Sequence, residues 1–466
     1  MSSNPSIDLQ SSRISIEWLV IAALFGISII GSIGRAGSLI RLFFPVGSLA
    51  VALFLFQRNP ILYLGFNWWI TFLAPFIRRL ADYYRGSFDS TSLMLTAPYL
   101  VTFVAGITVV CELPKSQRQG NLPFALATIG IAYALLVGIA RGNGIATVVR
   151  TFLDWMPPVL LGFHISANWR QYPTMASNTK RVFCWGALVM GGYGVYQYLM
   201  APEWDGFWLV AVDAVSFGKP EPMGMRVWST MNAPAPFACV MAIALLVLLI
   251  EKSPIKMPAA AVGYLSFLLS LVRSAWLGWI LGLLTLISSL KSNAQIRLIV
   301  TILTLLLCVV PLTMIEPFSD VIGDRIESFT AGGNDSSAED RSATYKENFN
   351  LALSNPYGQG LGGTWRVNEV GKLERVALDS GILDMFFTLG WFGAIPYLGG
   401  FLLLVFSAFE HKLGQSDSFL AICRAATLSI FSILALGPFM LGASGMAMWG
   451  FLGLGIAGRK YYQSLS

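Results

Sequence analysis

Charge is scarce in this chain: Asp, Glu, Lys and Arg together make 12% of 466 residues, against 55% hydrophobic residues. That balance excludes a soluble domain carried on a single anchor and predicts a polytopic, all-α membrane protein. Histidine is scarcer still. The two present, His164 and His411, have no partner at ligand spacing. The five cysteines (Cys111, Cys184, Cys239, Cys308 and Cys423) all fall within or at the ends of apolar segments. Such placement predicts neither a disulfide framework nor a metal site. Basic runs and basic tails are missing, so the formal net charge of +6 leaves no footprint for nucleic acid. No G-x-x-x-x-G-K-[ST] motif occurs, and the loops on the basic side are too short for a nucleotide-binding domain. Any energy for chemistry must therefore arrive in an activated substrate, with no cofactor expected. No small-residue cleavage site follows the first apolar run, Trp18 to Ile33, which reads as a retained span. A strong internal repeat is also lacking, which counts against transporter folds built from two matching halves.

What the chain has in abundance is apolar runs of spanning length. They recur near residues 17–34, 38–56, 60–77, 92–111, 121–140, 145–165, 182–200, 232–250, 298–315, 380–408, 419–441 and 443–458. With a broken hairpin over 258–290 they predict about 12–14 membrane elements and both termini on one side. Lys115 with Arg118, Arg170 with Lys180 and Arg181, Lys252 with Lys256, Lys291 with Arg297, and Arg459 with Lys460 fall on one face, expected to be cytoplasmic. Arg35, Arg41, Arg78, Arg79, Arg85 and Arg141 fall on the other. Either the early topology differs, or outer arginines such as Arg141 are kept for an anionic ligand. Four regions follow: an N-terminal bundle (1–200), central spans (201–315), a large outer loop (316–378) and C-terminal spans (379–466).

The run from Met257 to Leu290 is apolar throughout except for Arg273 near its middle. As one helix it would be roughly 50 Å long, well beyond a hydrocarbon core of about 30 Å. Basic residues flank both ends, so the run is expected to cross and return with Arg273 at the turn. A guanidinium there is costly unless it faces water or an anion, which makes it a functional candidate. The bland alternative is an arginine snorkelling to head groups.

Two outer loops are long. The first, 201–231, holds Glu203, Asp205, Asp213 and Glu221 and leads into Arg226. In the second, Ser336 and Ser337 with Glu339 and Asp340 make capping boxes. The helix they open is expected to stop at Asn355-Pro356, with Arg341, Tyr345, Phe349 and Ala352 on one face. After it, Gly358, Gly360, Gly362 and Gly363 read equally as a plain turn or as backbone that a ligand can approach closely. Arg150 and Asp154, one helical turn apart before Pro157-Pro158, read as a structural ion pair near a helix break.

In order along the chain, RVWSTMNAPAPFA, VRSAWLGW, DSSAEDRSATYKENFNLALSNPYGQGLGGT and LDSGILDMFFTLGWFG resemble the O-antigen polymerase and O-antigen ligase family of bacterial polysaccharide enzymes. The resemblance covers about residues 225–395. It implies a metal-independent, inverting glycosyltransferase of GT-C-like fold in the bacterial inner membrane, with cytoplasmic termini and an extracytoplasmic active site. Its partners would be an undecaprenyl-pyrophosphate-linked glycan donor, a glycan acceptor and membrane lipid, with a chain-length regulator and a flippase alongside. Arg273 corresponds to the family's span-tip arginine and Arg341 to its loop arginine, both of which hold the pyrophosphate. Asp379 falls where the ligases have a histidine acting as base, and Ser380 where they have the following asparagine. That departure favours a polymerase over a ligase. Arg226, Tyr345, Gly360, Ser380 and Arg141 complete the expected substrate-binding set.

The chemistry has its own physical footing. Breaking the anomeric bond of a sugar pyrophosphate releases a dianion, and fixed cations stabilise the charge as it develops. Arginine suits the task because its planar fork binds phosphate oxygens bidentately and keeps its proton. A carboxylate at the membrane edge can accept the acceptor hydroxyl's proton, although Asp379 in LDSG would equally serve as a helix N-cap. Two other readings stay open. One is a ligase passing a finished glycan to lipid A core. The other is a flippase or transporter of lipid-linked sugars, for which charges near the midplane and related halves would be expected.

Overall fold

The structure is a computed structural model that describes residues 15–112, 121–290, 295–296, 299–300, 302–303, 349–367, 373–376, 378, 380–410 and 417–465. Fifteen named α-helices stand among the described residues. They are α1 (Ile16–Ile33), α2 (Gly37–Arg58), α3 (Pro60–Arg85), α4 (Ala97–Phe103), α5 (Gly106–Glu112), α6 (Leu122–Ala140), α7 (Ile145–Ala167) and α8 (Tyr172–Met200). After them come α9 (Glu203–Val212), α10 (Pro234–Ile250), α11 (Lys256–Leu269), α12 (Arg273–Ser289), α13 (Gly381–Phe409), α14 (Ser418–Phe431) and α15 (Gly442–Gln463). A small antiparallel ribbon pairs β1 (Trp365–Val367) with β2 (Leu373–Arg375).

Among the described residues, seven helical stretches are long and apolar enough to cross a bilayer: α1, α2, α3, residues 93–112, α6, α13 and residues 418–436. This is the architecture of a polytopic helical membrane protein, in which every backbone polar group must find its partner inside the protein. Most of the expected apolar runs reappear as helices with ends shifted by a few residues, while most of the run expected at 298–315 lies outside the described residues. The larger differences are α3, which continues to Arg85, and α8, which begins at Tyr172. Both extensions are polar, so hydropathy missed them. Local chemistry sets some boundaries. Asn59 caps α3 by accepting from the Leu62 amide at 3.0 Å, with Pro60 at the first position. Pro157 and Pro158 do not break α7, which runs through both. Residues 349–353 are helical and the helix ends before Asn355-Pro356, as expected.

The bundle has two distinguishable ends. At one, Arg58 pairs with Glu17 at 2.7 Å, Tyr63 meets the His164 ring, and Lys460 donates to Ser166 at 3.3 Å. The start of α1 and the end of α15 therefore share an end. At the other lie the tips of α3 and α8, the turn between α11 and α12, and the start of α13. The core connects them through α10, whose residues from Phe237 to Leu248 are all buried.

Pairing at this second end corrects the expectation of an anionic ligand for four of the six outer arginines. Arg41 binds Asp89 at 2.5 Å, Arg78 binds Asp82 at 2.7 Å, Arg85 binds Asp82 at 3.0 Å, and Arg79 binds Asp205 at 2.6 Å. Arg78 and Arg79 are buried, where an unpaired ion is far more costly than a paired one, whereas Arg41 and Arg85 are partly exposed.

Candidate functional site

Arg273 is the first residue of α12, and the turn before it is short. α11 ends at Leu269, and Ser270, Leu271 and Val272 reverse the chain, with Leu271 in the left-handed region at φ +55°. Such a conformation in a branched residue persists only where its surroundings hold it. The hold comes from the 225–229 segment. The Val227 amide donates to Leu269 O at 3.1 Å, and Arg226 donates from Nε to Ser270 O at 3.0 Å and from Nη2 to Leu271 O at 3.3 Å. Its Nη1 reaches Ser216 O at 3.2 Å. Arg226, expected to contact substrate, thus braces the turn that presents Arg273, which is itself partly buried.

The glycine-rich turn sits at the same end but serves packing. Gln359 N donates to Phe387 O at 2.7 Å, Gly360 N to Thr388 O at 3.0 Å, and Leu361 N to Ala134 O at 2.9 Å. The two α13 carbonyls are open to receive them because the helix kinks at Gly390, whose φ of +64° and ψ of 179° suit glycine alone. A Cβ on Gly360 would lie 2.2 Å from the Gly138 nitrogen, and its φ is +74°. The expectation that Gly360 offers its amide to a ligand is corrected: that amide is spent on α13, and the residue wedges between α6 and α13. Asn143 secures the turn by donating to Gln359 O at 3.0 Å and Leu361 O at 2.9 Å. Arg141 is exposed and reaches the Gln359 side chain at 3.3 Å.

Ser380 is fully buried and is the N-cap of α13, its Oγ accepting from the Leu383 amide at 3.4 Å. Substrate binding by Ser380 is therefore corrected to a capping role. The cap expected at Asp379 falls one residue later. Asp379 itself, together with Arg341 and Tyr345, lies outside the described residues. On the first turn of α13, Asp384 is buried and accepts from Thr388 at 3.1 Å. The expected Arg150–Asp154 pair does not form: Arg150 lies over the Trp365 ring at 4.1 Å, and Asp154 accepts from Tyr99 at 2.9 Å. Arg273, Arg226, Ser380, Gly360 and Arg141 thus all lie at one end of the bundle.

Sequence reasoning missed Gln197 and Tyr193 on α8, which join Arg79 and Asp205 in one buried cluster. Only the glutamine within an apolar run hinted at it, since a polar side chain inside a span needs a partner. No group of three or more metal-ligating residues occurs among the described residues. Comparison with protein-family models finds no match, and no curated protein matches the chain.

Proposed function

We propose that this protein is a membrane glycosyltransferase that polymerises undecaprenyl-pyrophosphate-linked oligosaccharide repeat units into exopolysaccharide, capsule or O-antigen at the outer face of the bacterial inner membrane. On this reading the chain has 12–14 membrane elements in a GT-C-like arrangement, with both termini cytoplasmic. The observation that carries it is the placement of Arg273 as the opening residue of an apolar helix at a hairpin turn. An arginine fork beside the amides of a helix N-terminus gathers donors that converge on an anion, and the two together suit a diphosphate.

The acceptor hydroxyl attacks the anomeric carbon while the bond from that carbon to the diphosphate oxygen breaks. The electron pair leaves with the diphosphate, whose growing charge Arg273 and Arg341 offset. The hydroxyl proton passes to Asp379. The test is direct: purified protein in nanodiscs, given lipid-linked repeat units alone, makes longer lipid-linked glycans and free undecaprenyl pyrophosphate. Movement of the lipid across vesicles without any new glycosidic bond rules the reading out in favour of a flippase.

Asp379→Asn separates base from cap. Asparagine caps a helix nearly as well as aspartate, and Ser380 already occupies the cap position. Loss of the base should therefore appear alone, as a drop in transfer of about 10²-fold or more, read from polymer length on a gel. A wild-type ladder would remove Asp379 from the chemistry.

Sidedness has its own check. In a variant whose five native cysteines are replaced, Asn334→Cys should react with an impermeant maleimide in cells with a permeabilised outer membrane. Reaction only after lysis of the inner membrane would invert the topology.

A further inference from the structure

The most deeply buried charges at the hairpin end take no part in the chemistry above. Arg79 and Asp205 are both 0% exposed and meet at 2.6 Å. The other Asp205 oxygen accepts from Tyr193 and from the Gln197 amide, each at 2.8 Å. Gln197 turns its own oxygen to the backbone, accepting from the amides of Trp228 at 3.1 Å and Ser229 at 2.8 Å. Arg79 sends Nη1 to Met231 O and Nη2 to Ser229 O, both at 2.5 Å. Ser229 adds a bond from its hydroxyl to Met190 O at 2.5 Å.

Four backbone groups of the irregular Trp228–Met231 stretch are thereby satisfied by side chains from α3 and α8. Ser229 needs such restraint, since it sits at φ +54°. Directly before it, Val227 is bonded to Leu269, and Arg226 to Ser270 and Leu271. Contacts therefore run without a break from the buried pair to the turn that opens α12 at Arg273.

We propose that Arg79, Asp205 and Gln197 form a positioning network that holds residues 226–231 in place, so that Arg226 sets the turn and Arg273 is presented to the diphosphate. The inference rests on the reading of this end as a diphosphate site. An apolar pair of similar volume would usually be no less stable than a buried ion pair. It could not, however, satisfy irregular backbone away from water. Arginine supplies two donors in fixed directions, one for each carbonyl, beside its ion pair with the carboxylate, which a lysine cannot reproduce.

The test uses the full chain in nanodiscs, with Gln197→Leu as the main variant and Tyr193→Phe as a milder one should the first not fold. Hydrogen–deuterium exchange is followed at residues 225–231 and 268–275, and binding of farnesyl diphosphate by competition. Gln197→Leu should raise exchange in both segments together and leave α6 and α13 unchanged. Farnesyl diphosphate should bind about tenfold more weakly, the worth of a buried hydrogen bond to a charged group. Tyr193→Phe should give a smaller effect confined to the same two segments. General destabilisation would raise exchange everywhere and leave the affinity of folded protein untouched, which overturns a positioning role. So would loosening of 225–231 while 268–275 stays as protected as in the wild type. A wild-type chain that fails to bind farnesyl diphosphate at all overturns the diphosphate reading and this role with it. Normal wild-type binding with an unresponsive turn overturns the network alone.

Discussion

Arg273→Ala is expected to abolish polymer while the protein remains in the membrane at wild-type level. The side chain opens α12 and is only partly buried. On the proposed function its truncation removes the fixed cation at the departing diphosphate, and loss of one such group costs roughly 10²–10³ in rate. Arg273→Lys should recover little of this, because an ammonium is a point charge and cannot offer two parallel donors to two phosphate oxygens. In vitro transfer, scored beside membrane yield by immunoblot, measures both. Near-normal polymer from the lysine variant would reduce the requirement to positive charge without fork geometry.

The largest effect on stability is expected at Asp205. Removing its carboxylate in Asp205→Leu strands the wholly buried Arg79 guanidinium and should cost about 3–5 kcal/mol. In practice the variant should give a poor yield of monodisperse protein in detergent and a lower unfolding midpoint. Arg79→Met combined with Asp205→Leu should be more stable than Asp205→Leu alone, since no lone charge is left behind. It should still fall short of the wild type, because Ser229 O and Met231 O lose their donors. A double variant no better than the single one would show that the charge pair is not what the fold depends on there.

The resemblance that points to Arg273 rests on short motifs, and those motifs divide unevenly between chemistry and packing. The glycines of NPYGQGLGGT looked equally like a ligand loop or a turn. What separates the two is where the amide of Gly360 goes, and it goes to Thr388 on α13. LDSG looked like a cap centred on Asp379, yet the capping oxygen belongs to Ser380. One residue of register is too fine for composition to resolve, because both side chains make good caps. Arg150 and Asp154 have the spacing of an ion pair, but Trp365 and Tyr99 offer each a partner nearer at hand.

Hydropathy alone established the class of this protein and most of its helices, since a run of about 20 apolar residues has few alternatives to crossing a bilayer. It also marked Arg273 as anomalous, because charge inside such a run is always a question. Which arginines are spent inside the fold was decided only by the tertiary structure. Arg79 meets a carboxylate 126 positions away on α9, and Arg226 reaches carbonyls more than forty residues on. Pairing of that kind depends on which helix tips the packed bundle brings together, and local sequence carries no record of it.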